Sequence, residues 1–251
     1  MSKIIALFNQ SGGVGKSTLS MNLGYHLQKL QHRVLLVDMD PQGSLTLFMG
    51  LEPSELKETI YESVIADQPL PVHHNFHGLD LVPANIKLSG AELELVMADM
   101  RDIRLRDALK PVHGQYDFIL IDCPPSLGLL SYISLVSATH VLVPIQTQYK
   151  AFCGTELLLA TVARVKSRAN PKLKIAGFVP TMYAKANSQD TRALQAINEQ
   201  MAQFGQVFPP IPRSTALADA AESHLPLANY SAKHPAVRAL QQVALAMESL
   251  K

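Results

Sequence analysis

Asn9-Gln10-Ser11-Gly12-Gly13-Val14-Gly15-Lys16-Ser17-Thr18 brings three glycines, one lysine and the hydroxyl pair Ser17-Thr18 into a single short stretch. Glycines allow consecutive backbone N–H groups to curl around phosphate oxygens, and a helix beginning behind them adds the partial positive charge of its N-terminus. Such a loop is an anion cradle before any side chain acts. Lys16 would reach the β and γ phosphates of a nucleotide. Ser17 would place its hydroxyl on Mg²⁺, an ion that keeps several waters and is held by one or two protein groups plus the phosphates. The common phosphate-loop pattern has a glycine five residues before the last loop glycine, and Gln10 stands there instead.

Two further segments end in carboxylates. Val34-Leu35-Leu36-Val37 runs into Asp38-Met39-Asp40-Pro41-Gln42-Gly43, and Phe118-Ile119-Leu120-Ile121 runs into Asp122-Cys123-Pro124-Pro125. The first falls at the C-terminal end of a strand, the rim where open α/β sheets bind ligands.

Elements that would hold these groups in place can be read from the apolar pattern. Ile4 to Phe8, Val34 to Val37, Leu79 to Val82, Phe118 to Ile121, His140 to Ile145 and Ile175 to Val179 read as strands, with helix-length segments such as Leu19 to Leu30 between them. Near-continuous apolar strands, in place of alternating ones, imply a parallel sheet buried on both faces. The expected fold class is α/β, a doubly wound, mostly parallel sheet with helices on both faces, in one domain spanning 1–251. Helix starts are expected at Ser17-Thr18, at Ser89 with Glu92 as a capping box, and at Ser188 with Asp190. Pro235 to Leu250 places Val237, Leu240, Val243, Ala244 and Met247 at helical spacing, which suits a terminal helix docked on the core.

Composition narrows the class further. With 251 residues, 22 Lys plus Arg against 21 Asp plus Glu, and 47% apolar residues, the chain is neither disordered, collagenous nor a disulfide scaffold. No apolar stretch approaches the roughly 18 residues of a membrane-spanning helix, and the N-terminus lacks a signal-peptide h-region, so a cytoplasmic protein is expected. Cys123 and Cys153 form no metal knuckle and suit a reducing compartment. The net charge of +1 hides an asymmetry: residues 1–150 carry 11 basic and 15 acidic side chains, net −4, and residues 151–251 carry 11 and 6, net +5. Arg164, Lys166, Arg168, Lys172 and Lys174 crowd together in the cationic half, with Arg192 further on, so phosphate backbones are a conceivable partner. His73, His74 and His77 sit in a polar stretch with no adjacent Cys and read as a loop of titrating histidines, not as a metal site.

Taken together, the loop and the two acidic segments resemble the deviant Walker A ATPases of the ParA/MinD family. Leu81-Val82-Pro83-Ala84-Asn85, Ser89-Gly90-Ala91-Glu92-Leu93-Glu94, Val143-Pro144-Ile145-Gln146-Thr147-Gln148-Tyr149, Thr181-Met182-Tyr183 and Ile211-Pro212-Arg213 extend the likeness over nearly the whole chain. The resemblance implies ATP and Mg²⁺ as cofactors, with the nucleotide held by Ser11, Gly12, Gly13, Val14, Gly15, Lys16, Ser17 and Thr18. It further implies that Asp40 orients the attacking water, that Asp38 sits near the metal, that Asp122 holds a water on Mg²⁺, and that Pro212 and Arg213 approach the base. The family has a lysine immediately before the Gly-Gly pair, which reaches across a dimer to the partner's phosphates; Ser11 replaces it here. A chain with that replacement resembles the McdA proteins, which position carboxysomes on the nucleoid with a small adaptor.

The resemblance thus implies an ATP-dependent homodimer, non-specific DNA binding with Arg164, Arg168, Lys172 and Arg192 as the residues to test, and an adaptor of the McdB or ParB kind that stimulates weak intrinsic hydrolysis. A plasmid or chromosome partition ATPase is the alternative. The chain starts directly at its first strand, so the N-terminal helix-turn-helix extension of larger partition ATPases, and operator binding with it, is not expected. A membrane-bound division-site regulator of the MinD kind would want a basic amphipathic C-terminal helix, but Gln241 to Lys251 holds a single Lys and one Glu. An iron–sulfur reductase would need paired cluster thiolates, a pattern Cys123 and Cys153 do not match. A nucleotide tetra-anion facing a second subunit still needs a cation, because desolvating phosphate charge alone costs several kcal/mol. Lys150, just beyond the strand His140 to Ile145, is the residue expected to supply it. Lys150→Ala is expected to impair ATP-dependent dimerisation, measured as mass in solution with and without Mg-ATP; unchanged dimerisation would refute the assignment.

Overall fold

A computed structural model describes residues 2–148 and 154–250. Seven strands, β1 (Lys3–Leu7), β2 (Val34–Asp38), β3 (His73–Phe76), β4 (Leu79–Val82), β5 (Phe118–Asp122), β6 (His140–Gln146) and β7 (Lys174–Thr181), form one sheet in the order β3-β4-β2-β5-β1-β6-β7. β3 is antiparallel to β4, and every other neighbouring pair is parallel. This is the doubly wound α/β sheet expected.

Because successive strand residues face opposite sides, the buried strands feed two cores. Ile4, Ala6, Leu35, Val37, Ile119, Ile121, Val141 and Val143 point to one side. There they meet α3 (Ile60–Ala66), α4 (Leu88–Met97), α5 (Arg104–Leu109), α6 (Leu129–Ser137), α7 (Thr155–Arg168) and α8 (Ser188–Met201). Ile5, Leu7, Val34, Leu36, Phe118, Leu120 and Leu142 point to the other side. That layer holds α1 (Lys16–Lys29), α2 (Ser44–Phe48), α9 (Ala216–Glu222), α10 (Leu227–Tyr230) and α11 (Pro235–Glu248). Val237, Leu240, Val243, Ala244 and Met247 are all buried, so the terminal helix docks by the expected stripe.

Both margins of the sheet are covered. At the β7 margin, residues 206–213 run alongside as an irregular extra strand: Phe178 N donates to Gln206 O, Phe208 N to Phe178 O, Ile211 N to Pro180 O and Arg213 N to Tyr183 O, at 2.8–2.9 Å. Gly177 permits this close approach, since a Cβ there would stand 2.7 Å from Gln206 O and 2.5 Å from the Phe208 ring. At the other margin lies β3, which falls where the sequence reads as a histidine loop. His74 Nδ1 is 2.8 Å from Asp80 Oδ2, which also accepts from Tyr116 Oη at 2.7 Å, and these bonds hold a strand whose residues are too polar to signal one.

Two of the expected helix starts differ. Ser89 Oγ donates to Ile86 O at 2.7 Å, and α4 begins at Leu88 without a side-chain cap, so the Ser89/Glu92 box is not formed. The cap of α8 is Asn187, whose Oδ1 accepts from Gln189 N, one residue before Ser188. A capping box does form at α3, where Thr59 and Glu62 cap each other's backbone groups. Thr59→Ala removes that cap and is expected to lower stability by about 1 kcal/mol in urea unfolding, with nucleotide binding unchanged.

Candidate functional site

β1, β2 and β5 lie side by side, and their register sets the site: Leu7 pairs with Asp122, and Asp122 with Asp38. The glycine loop leaves the end of β1 and closes at Gly15, the residue before α1. Gly13 and Gly15 hold φ of +71° and +91°, a region that costs a side-chain-bearing residue strain, and a Cβ at either would meet nothing within 4 Å. The cradle is open on the side where an anion would enter.

Side chains and neighbouring strands hold the loop in shape. Asn9 Nδ2 donates to Pro144 O at 2.6 Å while its Oδ1 accepts from Ser11 N at 2.9 Å. Thr181 Oγ1 donates to Val14 O at 2.9 Å, and Gln10 Nε2 to Gly154 O at 2.7 Å. Gln10 therefore has a packing role where the common pattern has glycine. Lys16 is buried and folds back over the loop, its Nζ donating to Asn9 O and Ser11 O at 3.0 Å each. Burial holds its amine below the ordinary lysine range, and Asp122 and Asp40 pull it back up.

The carboxylates differ in their bonding. Asp38 is fully buried with both oxygens engaged: Oδ1 accepts from Asp40 N at 3.0 Å, and Oδ2 from Thr46 N at 2.9 Å and Thr46 Oγ1 at 2.7 Å. Burial pushes it up to about 6. Asp40 is less enclosed, its Oδ1 accepting from Gln42 N at 3.0 Å. Asp122 is fully buried; Oδ1 accepts from Ser20 Oγ at 3.3 Å, and Oδ2 has no hydrogen-bond partner among the described residues. Burial and the neighbouring Asp38 raise its pKa well above the carboxylate range, opposed by the Ser17 hydroxyl and Lys16. A buried carboxylate oxygen without a donor, beside a serine hydroxyl at the foot of a phosphate cradle, matches the oxygen chemistry of a hard divalent cation.

Beside the loop opens a mainly apolar cavity of about 620 Å³. Val14, Gly15 and Thr18 line one wall, and Thr181, Met182, Pro212 and Arg213 another. Leu47, Phe48 and Leu217 close it. Pro212 and Arg213 are thus brought to the loop, and the Arg213 guanidinium lies 3.8 Å from the buried Asp190 carboxylate. Lys150 and Cys153 lie outside the described residues; Cys123 is buried. Arg164, Lys166, Arg168, Lys172 and Lys174 are exposed together at the end of α7 and the start of β7. Arg192 is exposed near the start of α8, which follows the opposite end of β7, so the cationic residues do not form one patch.

Thr46 and Ser20 were not singled out from the sequence. Ser20 lies three residues after Ser17 on the same face of α1, a spacing that could have found it. Thr46 carries no such signal, because its partner Asp38 is eight residues away across a turn.

A family described as AAA domain matches residues 2–175. A chromosome partitioning protein ParA of Myxococcus xanthus is 42% identical over 238 residues, covering 92% of this chain and 82% of that one. The chain belongs to the ParA/MinD-type family of P-loop ATPases. Among solved structures, a Mycobacterium smegmatis protein described as cobyrinic acid a,c-diamide synthase, with bound ADP and magnesium, superposes with a TM-score of 0.87 at 34% identity, covering 99% of this chain and 94% of that one. An ATP complex of Cyanothece McdA superposes with a TM-score of 0.87 at 26% identity, covering 100% and 98%. These names describe different tasks carried out on one ParA/MinD-type fold, so the site must decide between them.

The buried Asp122 gives the site a measurable signature. A carboxyl whose folded pKa is raised costs stability when ionised, in full above the folded pKa and not at all below the unfolded value of about 4. Asp122→Asn without ligand is therefore expected to melt above the unsubstituted protein near pH 8, the gap closing as pH falls toward about 4. Thermal melts across that range test this.

Proposed function

We propose that this chain is a nucleotide-gated ATPase that positions a cargo on the nucleoid. In this cycle it dimerises with ATP bound, the dimer holds DNA non-specifically through phosphate contacts, and a cargo-bound adaptor stimulates a weak intrinsic hydrolysis that releases it. The observation that carries the proposal is the cluster of Lys16, Asp40 and Asp122 around an open glycine cradle, with one Asp122 oxygen lacking a donor. ATP and Mg²⁺ are its cofactors, as the ligand-bound relatives support, and ATP supplies the phosphoanhydride bond that water cleaves.

Each residue then has a defined task. The loop from Ser11 to Thr18 cradles the phosphates with its backbone N–H groups, and Lys16 exchanges two carbonyl partners for phosphate oxygens. Ser17 and Asp122 would hold Mg²⁺, which would supply positive charge to the phosphates. Asp40 orients the attacking water, and Asp38, with both oxygens engaged, positions Asp40 through its backbone N–H. The base enters the cavity of Pro212 and Arg213. Lys150 supplies the cation that Ser11 lacks; in support, Gly154, just beyond it in the chain, accepts from Gln10 of the loop.

Two cargoes are each favoured by one observation. Ser11 favours carboxysomes with an McdB-like adaptor, and the 42% identity to a chromosome partitioning protein, against 26% to McdA, favours a replicon with a ParB-like adaptor. A membrane-associated role through the terminal helix is disfavoured, because the apolar stripe of α11 is buried against the core.

Asp40→Ala is expected to lower ATP turnover by roughly 100-fold or more while retaining an ATP-dependent dimer that binds non-specific duplex DNA, with affinity falling steeply as salt rises. Alanine at Arg192, or at Arg164, Arg168 and Lys172, tells which end of β7 contacts DNA. A monomer in every nucleotide state would overturn the proposal.

A further inference from the structure

α11 begins at an unusual cap. His234 holds the position before it, with Nδ1 accepting from Ala236 N at 3.2 Å and Pro235 in the first turn. Asn, Asp, Ser and Thr are the side chains that ordinarily cap a helix, and α8 and α3 use Asn187 and Thr59. What a histidine adds is a second nitrogen on the far side of its ring. Nε2 lies 3.0 Å from Ser214 Oγ, and Ser214 lines the cavity beside the glycine loop, next to Pro212 and Arg213. The ring therefore ties the terminal helix, whose Leu240 is itself part of the cavity wall, to the segment that carries Pro212 and Arg213.

The backbone decides which nitrogen carries the proton. Because Nδ1 accepts from an N–H, the proton sits on Nε2 and is donated to Ser214 Oγ. Ser214 Oγ also accepts from Ala216 N at 3.1 Å. Both lone pairs of the hydroxyl are then filled, and its own proton has no acceptor among the described residues. A purine base offers acceptor nitrogens along its ring edges.

We infer that His234 is a positioning residue for the base: as a neutral imidazole it holds the Ser214 hydroxyl as a donor toward a ring nitrogen of the purine. The inference rests on the nucleotide reading above and names a residue that sets its affinity. It also ties that affinity to protonation. A second proton, on Nδ1, would face the Ala236 N–H and put a cation at the positive end of the α11 dipole, so the protonated ring leaves its place and releases Ser214. No carboxylate offsets this cost. The histidines that form ion pairs among the described residues are His32 and His74. The charged groups of the elements that meet here are all exposed: Lys233 and Arg238 along the same segment, Arg213 beside Ser214, and Asp219 and Glu222 on α9. Nucleotide affinity is therefore full where the ring is neutral and falls as acid protonates it, within the range in which histidine changes charge.

The test measures binding of a ribose-labelled fluorescent ATP analogue to the full chain with Mg²⁺, at about pH 8 and about pH 5.5. At the higher pH, His234→Asn and Ser214→Ala are each expected to weaken binding by about fivefold. The double variant is expected to lose no more than either alone, as two halves of one contact require. Asn keeps the helix cap, so the thermal melt of His234→Asn at the higher pH is expected to match that of the unsubstituted protein. On acidification the unsubstituted protein is expected to lose more affinity than either variant. Asp38 and Asp122 also gain protons as the pH falls, but alike in every variant, so the difference between the profiles belongs to His234. Additive losses in the double variant, or a His234→Asn protein with unchanged affinity and pH profile, would overturn the clamp and leave nucleotide binding standing. An unsubstituted chain that binds no analogue at either pH would overturn both.

Discussion

The structure is organised around a charge problem. Asp38 and Asp122 end neighbouring parallel strands in register, both fully buried, with Asp40 two residues beyond. Like charges in so dry a place repel, and burial itself disfavours their ionised forms. The fold meets the problem unevenly. Asp38 is surrounded by donors from Asp40 and Thr46, Lys16 contributes a positive charge that burial weakens, and Asp122 keeps one oxygen without any donor. What remains unsatisfied has the character of a socket for a cation, and the glycine cradle beside it has that of a socket for an anion. Each lowers the cost of filling the other, which is why a metal–nucleotide complex suits the site better than either component alone.

Holding that arrangement dictates much of the architecture. Three adjacent strands must end level, so β1, β2 and β5 form the centre of the sheet and their apolar residues are enclosed by both helical layers. The loop between β1 and α1 is tied to β6 through Asn9 and Pro144, and to β7 through Thr181 and Val14. The proposed phosphate, metal and base subsites are consequently positioned by five strands, which suits a site whose chemistry would depend on pre-set electrostatics.

Much of this was legible in the chain because the relevant signals are local. Six strands announce themselves as continuous apolar runs, and the glycine loop with its lysine is a contiguous motif. β3 was missed because two histidines and an asparagine give it no apolar pattern, its order coming from the distant Asp80 and Tyr116. The Ser89 cap failed for a related reason: Glu92, which would have completed it, is drawn to the start of α6 nearly 40 residues away. At the site, residue types alone leave Asp38 and Asp40 equivalent, and only the family resemblance separates their expected tasks. What no sequence signal carried is the bonding: Thr46 and the Asp40 backbone commit the Asp38 carboxylate inward. The cationic residues looked like one group by proximity in the chain, yet β7 holds Arg192 away from the others.

The strand-like segment at residues 206–213 does two jobs with one stretch of backbone. It shields the open hydrogen-bonding margin of β7, which would otherwise offer a template for pairing with another chain, and it carries Pro212 and Arg213 into the cavity beside the glycine loop. Protection of the sheet edge and the shape of the cavity therefore share one stretch of backbone. If the proposed base site is correct, loosening that segment would expose the β7 margin and disturb nucleotide binding together.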